Sequence, residues 1–114
     1  MGKNEITFNV KAFISLIDKE IQTAEKEKIK LQQDLNYYGD SVKKLKERKK
    51  GIINNIKTKY PKNVVLTKFE IIWAEYNMDI EIRNDIKYAK NCEDKIMLID
   101  KKISQLKDLK KQSI

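Results

Sequence analysis

From Val10 to Ile56 the apolar residues recur in steps of three and four with little slippage. One set, seven apart, reads Val10, Ile17, Ala24, Leu31, Tyr38, Leu45 and Ile52. A companion set, four residues on, reads Ile14, Ile21, Lys28, Leu35, Val42, Lys49 and Ile56. Twelve of these fourteen positions are apolar or aromatic. An α-helix advances about 3.6 residues per turn, so this spacing keeps a single stripe turned toward one partner over the whole segment. A strand would need alternation, and a compact mixed fold would interrupt the pattern with turns.

The rest of the composition fits helices with one seam. Charged residues make up 37% of the 114 residues, and there are only three Gly and one Pro. The usual charged share is about a quarter, so much of each helix must face water. The first nine residues alternate Ile6 and Phe8 with polar neighbours, read here as an extended lead-in with Asn9 as N-cap.

Two places compete to end the first helix. Tyr37-Tyr38-Gly39-Asp40-Ser41 has the chemistry of a helix stop and a new start, which would give a three-helix bundle with a turn at Gly39-Ser41. The apolar phase nevertheless runs through it from Leu35 to Tyr38, Val42 and Leu45. The stronger break is Lys59-Tyr60-Pro61-Lys62-Asn63, because proline disfavours helix at the residue before it and has no amide to donate. The expected organisation is one helical domain over 1–114, with lead-in 1–9, helix 10–58, turn 59–64 and helix 65–112. A defect is allowed at Tyr76-Asn77-Met78-Asp79, where Asn77 could cap a new segment.

If the chain folds back at Pro61-Lys62, the two seams should face each other. That pairing sets Ile52 against Ile72, Val42 against Ile82, Tyr38 against Ile86, Leu35 against Ala89 and Ala24 against Ile99. Lys49 then falls opposite Glu75, and Lys28 beside Glu93 and Asp94. The fold expected is therefore all-α: a long antiparallel, coiled-coil-like helical hairpin, with helices of roughly 70 Å at 1.5 Å per residue.

Such a hairpin buries one stripe per helix, yet Phe13, Leu16, Phe69, Ile71, Trp73 and Met97 stand outside or beside it, as do Ile80 and Leu98. Unused apolar surface marks an interface, so these residues are read as protein-contacting and the hairpin as pairing with a second copy into a four-helix bundle. Aromatics at helical spacing are more often core, which is the competing reading for Trp73, Phe69, Tyr76 and Tyr60.

The charge is localised. Residues 43–62 hold nine Lys or Arg against one Glu, a net +8, while the remainder carries sixteen of each sign. Lys43, Lys44, Lys46, Arg48, Lys50, Lys57, Lys59 and Lys62 are the candidates for contact with a phosphate backbone or another anionic partner. Lysine supplies nearly all of this charge, with Arg48 and Arg83 the only arginines. Sequence-blind contact is therefore favoured over base reading. The plain alternative is a solvated helix face answered by Glu70, Glu75, Asp79 and Glu81.

Catalytic chemistry has little to work with. There is no histidine, and Cys92 is the only cysteine, which excludes a disulfide within the chain, a Cys/His zinc site and His-based acid–base pairs. Cys92 is read as a buried small hydrophobe on the seam. No Gly-rich phosphate loop or Ser-centred elbow occurs, so neither enzyme activity, cofactor nor small-molecule substrate is expected. No segment has the roughly 18 apolar residues of a membrane span, and the opening lacks a secretory core, pointing to a cytoplasmic or intracellular location. Abundant Lys, Ile and Asn match an AT-rich genome, of the kind phages and viruses often have. These observations converge on a non-catalytic interaction, scaffold or inhibitor module. A nucleic-acid-binding accessory protein using 43–62 is the alternative.

Overall fold

The computed structural model describes residues 9–114, and the expected extended lead-in, with Ile6 and Phe8, lies outside them. Over the described residues the chain is an all-α antiparallel helical hairpin of two helices, α1 (Val10–Lys59) and α2 (Val64–Gln112). Each starts on an asparagine cap. The Asn9 Oδ1 accepts the Ala12 amide at 3.1 Å, and the Asn63 Oδ1 accepts the Leu66 amide at 3.0 Å. Between the helices, the Asn63 amide donates to the Tyr60 carbonyl at 3.2 Å, closing a turn around Pro61 and Lys62. The Thr67 hydroxyl donates to the same carbonyl at 3.1 Å and so ties α2 to the connection.

Helix α1 runs without a break through Gly39 and Gly51, and no described residue has positive φ. The three-helix alternative with a turn at Gly39-Ser41 is therefore corrected. Ser41 has another use: its hydroxyl donates across the seam to the Asp85 carboxylate instead of capping a new helix. Helix α2 is likewise continuous through Asn77, which is exposed on its surface.

Contacts divide the hairpin into two units. In that of residues 9–32 and 94–114, buried Ala24, Ile99 and Ile103 form the core, with Ile21 and Leu31 packed against it. Ala24 is only 2% exposed, enclosed on the α2 side by Ile99 and Ile103. Ion pairs flank this core: Lys28 to Asp100 at 2.6 Å, Lys110 to Asp18 at 2.8 Å and Lys102 to Glu20 at 3.7 Å. Lys28 thus pairs about two turns beyond the Glu93 and Asp94 expected for it.

In the unit of residues 33–93, Met78, Ile82 and Cys92 are buried, and half-buried Leu35, Tyr38, Val42, Leu45, Ile52 and Ile56 supply the α1 side. The Tyr38 ring stacks on Tyr88 with centroids 5.3 Å apart. Lys49 pairs with Asp79 at 2.8 Å, one turn beyond the expected Glu75. Two expected seam residues of α2 are displaced by a neighbour. Ile72 and Ile86 are exposed, while Ile71 and Asp85 occupy the inward positions. At Asp85 the cause is polar: Ser41 offers it a hydrogen-bond partner inside the seam.

Candidate interaction surfaces

One helix turn contributes about 100° per residue, so positions three, four and seven apart share a face. Applied to α2 in the unit of residues 33–93, this divides its apolar residues into two opposed sets. Ile71, Ala74, Met78, Ile82 and Ala89 follow the seam. Val65, Phe69, Ile72, Trp73, Tyr76 and Ile80 lie on the opposite side, and all six are between 44% and 79% exposed. This segment of α2 is amphipathic toward the seam and apolar again toward solvent. The second stripe covers four turns, or roughly 22 Å at 1.5 Å per residue.

The aromatic residues named from the sequence therefore separate. Phe69, Trp73 and Tyr76 stand on the outer stripe rather than in a core, whereas Tyr60 is half-buried and its hydroxyl donates to the Glu70 carboxylate at 3.2 Å. Spacing alone could not have told the two faces apart, since both repeat every three or four residues. Of the other expected interface residues, Leu16 and Met97 are exposed, but they belong to the other unit and do not extend this stripe. Phe13 and Ile71 are half-buried, so neither presents a free apolar face. Ile72, Ile80 and Val65 complete the stripe. Their signal is present in the sequence: Ile80 stands outside the seam there, whereas the fold-back pairing assigns Ile72 to the seam and the helix boundary takes Val65.

At its far end the stripe runs into a notch of about 270 Å³ bounded by Tyr76, Asp79, Ile80 and Arg83. A second, shallow groove of about 500 Å³ lies where Gly39, Val42, Ile86 and Ala89 form an apolar floor beside Lys43 and Lys46. The missing side chain at Gly39 helps to open it.

Every expected anion-contacting residue is exposed: Lys43, Lys44, Lys46, Arg48, Lys50, Lys57, Lys59 and Lys62. Helical spacing places Lys43, Lys46, Lys50 and Lys57 on one flank of α1 and Lys44, Arg48 and Lys59 on the other. The block straddles the helix instead of forming one ridge. Among the described residues, Lys59 alone of the eight has an ion pair, to Glu70 at 4.0 Å, with its ammonium 5.1 Å from the Tyr60 ring centre. Two of the four carboxylates expected to answer the charge do so, Glu70 at Lys59 and Asp79 at Lys49, the seam lysine of the same block; among the described residues Glu75 and Glu81 have no ion pair.

Among the described residues no three His, Cys, Asp or Glu side chains converge as a metal site requires, and no helix is long and apolar enough to cross a membrane. Comparison with known protein families, curated proteins and solved structures finds no match to this chain.

Proposed function

We propose that this chain is a non-catalytic protein-interaction module: a helical hairpin that holds, blocks or scaffolds another macromolecule through the outer face of α2. One observation carries the reading, the second apolar stripe of Val65, Phe69, Ile72, Trp73, Tyr76 and Ile80. Scattered exposed apolar residues are ordinary on a protein surface, but six on one four-turn face, three of them aromatic, form the contiguous patch that marks an interface. Trp and Tyr are also the residues in which binding energy concentrates. A groove-binding or helix-pairing partner reads such a face through residues spaced three and four apart.

The test is site-specific photocrosslinking in the full chain. A photoreactive phenylalanine analogue at Phe69 or Tyr76 should give a covalent protein adduct on irradiation, and the same analogue at exposed Asn54 on α1 should not. Equal labelling at all three positions, or none at any, would remove the basis of this reading.

A second reading is favoured by a separate observation. Among the described residues, Lys43, Lys44, Lys46, Arg48, Lys50, Lys57 and Lys62 are exposed and have no ion pair. An accessory protein that grips the phosphate backbone of a nucleic acid without reading its sequence would use such a segment. Binding to a short duplex should then fall steeply with salt, and Lys46→Glu combined with Lys50→Glu should weaken it on every sequence tested. Binding indifferent to salt would count against it.

A further inference from the structure

Resting on the protein-interaction reading, we infer that the partner seated on the outer stripe of α2 is a second copy of this chain, laid antiparallel about a two-fold axis between Ile72 and Trp73. The stripe is palindromic. Val65 stands four residues before Phe69 and Phe69 three before Ile72, while Trp73 stands three before Tyr76 and Tyr76 four before Ile80. Reversing the helix direction returns the same pattern, with Val65 over Ile80, Phe69 over Tyr76 and Ile72 over Trp73. A closed two-fold interface must be self-complementary in this sense. Three-and-four spacing gives any helical stripe some of this symmetry, so the pattern permits antiparallel self-pairing and fixes its register, while charge and area argue for the second copy.

Charge agrees with the register. In the antiparallel overlay, Lys68 of one copy comes level with Asn77 of the other, between Glu75 and Asp79 on the same flank of the helix. Among the described residues Lys68 is exposed and has no ion pair, so each copy offers a cation beside Glu75 and Asp79 of the other, of which Asp79 also holds Lys49. At the two ends of the stripe Lys62 and Arg83 come level with like charge. Both are exposed, where salt and solvent screen the repulsion. Area permits it as well: the exposed surface of the six stripe residues, on the order of 800 Å² per copy, is the most they can bury, and that limit reaches the size of a standard specific interface.

The experiment combines oligomeric state with register, using the full chain. Light scattering coupled to size exclusion should give a dimer at high micromolar concentration. Trp73→Glu should weaken it by about 30-fold or more, the loss expected at a central hot spot, with the helical circular dichroism spectrum unchanged. In a Cys92→Ser background, a Val65→Cys chain mixed with an Ile80→Cys chain should form a mixed disulfide, and Val65→Cys alone should not crosslink to itself. A dimer that survives Trp73→Glu, or that crosslinks Val65→Cys to itself, overturns the proposed pairing. A monomeric chain whose Phe69 analogue still crosslinks to a different protein also overturns it, while leaving the interaction reading standing. A monomer with no adduct at Phe69 ends both.

Discussion

The Lys49 ammonium reaches across the seam to the Asp79 carboxylate at 2.8 Å, at a heptad position that neighbouring layers fill with Leu45 and Ile52. The hydrogen bond to Asp79 holds the Lys49 ammonium above its ordinary value of 10.5. Tyr38, desolvated on the seam and facing Asp34, is held above its ordinary 10.0. Both shifts have the same sign for stability. A group whose folded pKa is raised contributes fully below the unfolded value, and that contribution is lost as pH rises through the folded one. The hairpin should therefore keep its stability up to about pH 10 and lose it progressively above. Denaturant midpoints measured across this range should fall, and Lys49→Met should flatten part of the decline.

Ala24 is the most enclosed side chain of the unit formed by residues 9–32 and 94–114, packed with Ile99 and Ile103. With its side chain only 2% exposed, Ala24 has no open surface into which a larger group could extend. Ala24→Leu should overpack the seam and cost about 1 to 3 kcal/mol, and Ile103→Ala should cost about 2 to 4 by opening a cavity. Urea denaturation checks both. Tolerance of leucine at position 24 would mean that the helices separate freely at this layer.

Gly39 and Gly51 occupy helical backbone with negative φ, and a methyl group built on either meets nothing within 4 Å. Alanine at such a position gains helix propensity without a clash. Gly39→Ala and Gly51→Ala should each stabilise the hairpin by about 1 kcal/mol, measured as a raised thermal midpoint. Gly39→Ala also narrows the groove beside Lys43 and Lys46, so a loss of partner binding together with the gain in stability would assign that groove a role.

The Asn63 side chain caps α2 at 3.0 Å from the Leu66 amide, directly after the turn that reverses the chain. Removing it leaves one of the first amides of α2 without its acceptor. Asn63→Ala should cost about 1 kcal/mol, while Asn63→Asp should largely preserve stability, since aspartate accepts the same bond. Thermal unfolding distinguishes the two variants.

Helix α1 was legible because a single apolar stripe runs along it. Of the seam positions read from the repeat, only Val10 at the helix end is exposed. Helix α2 was harder because it carries two stripes back to back, and the adjacent pairs Ile71-Ile72 and Asp85-Ile86 each let the repeat slip by one residue. Hydrophobicity selects Ile86 for the seam, but the polar partner Ser41, 44 residues away in sequence, draws Asp85 inward. The cross-seam contacts show the same limit: Tyr38 stacks on Tyr88 and Ser41 meets Asp85, while Lys28 and Lys49 pair with Asp100 and Asp79, so facing residues lie two to four positions from the expected pairing, and a repeat of three and four does not fix the register that closely.

The adjacent isoleucines on α2 offer a direct separation of folding from assembly. Ile71 is half-buried on the seam and Ile72 is two-thirds exposed on the outer stripe. Ile71→Ala removes packed methylene groups and should destabilise the hairpin by about 1 to 2 kcal/mol at any protein concentration. Ile72→Ala should change the stability of the dissociated chain by no more than about 0.5 kcal/mol, as surface substitutions do. At high concentration it should lower the apparent stability further, because a partner bound only to the folded state adds to that stability by mass action. Denaturation at two concentrations, one on each side of association, reads both effects. Equal losses at both concentrations for Ile72→Ala would place its side chain in the seam after all.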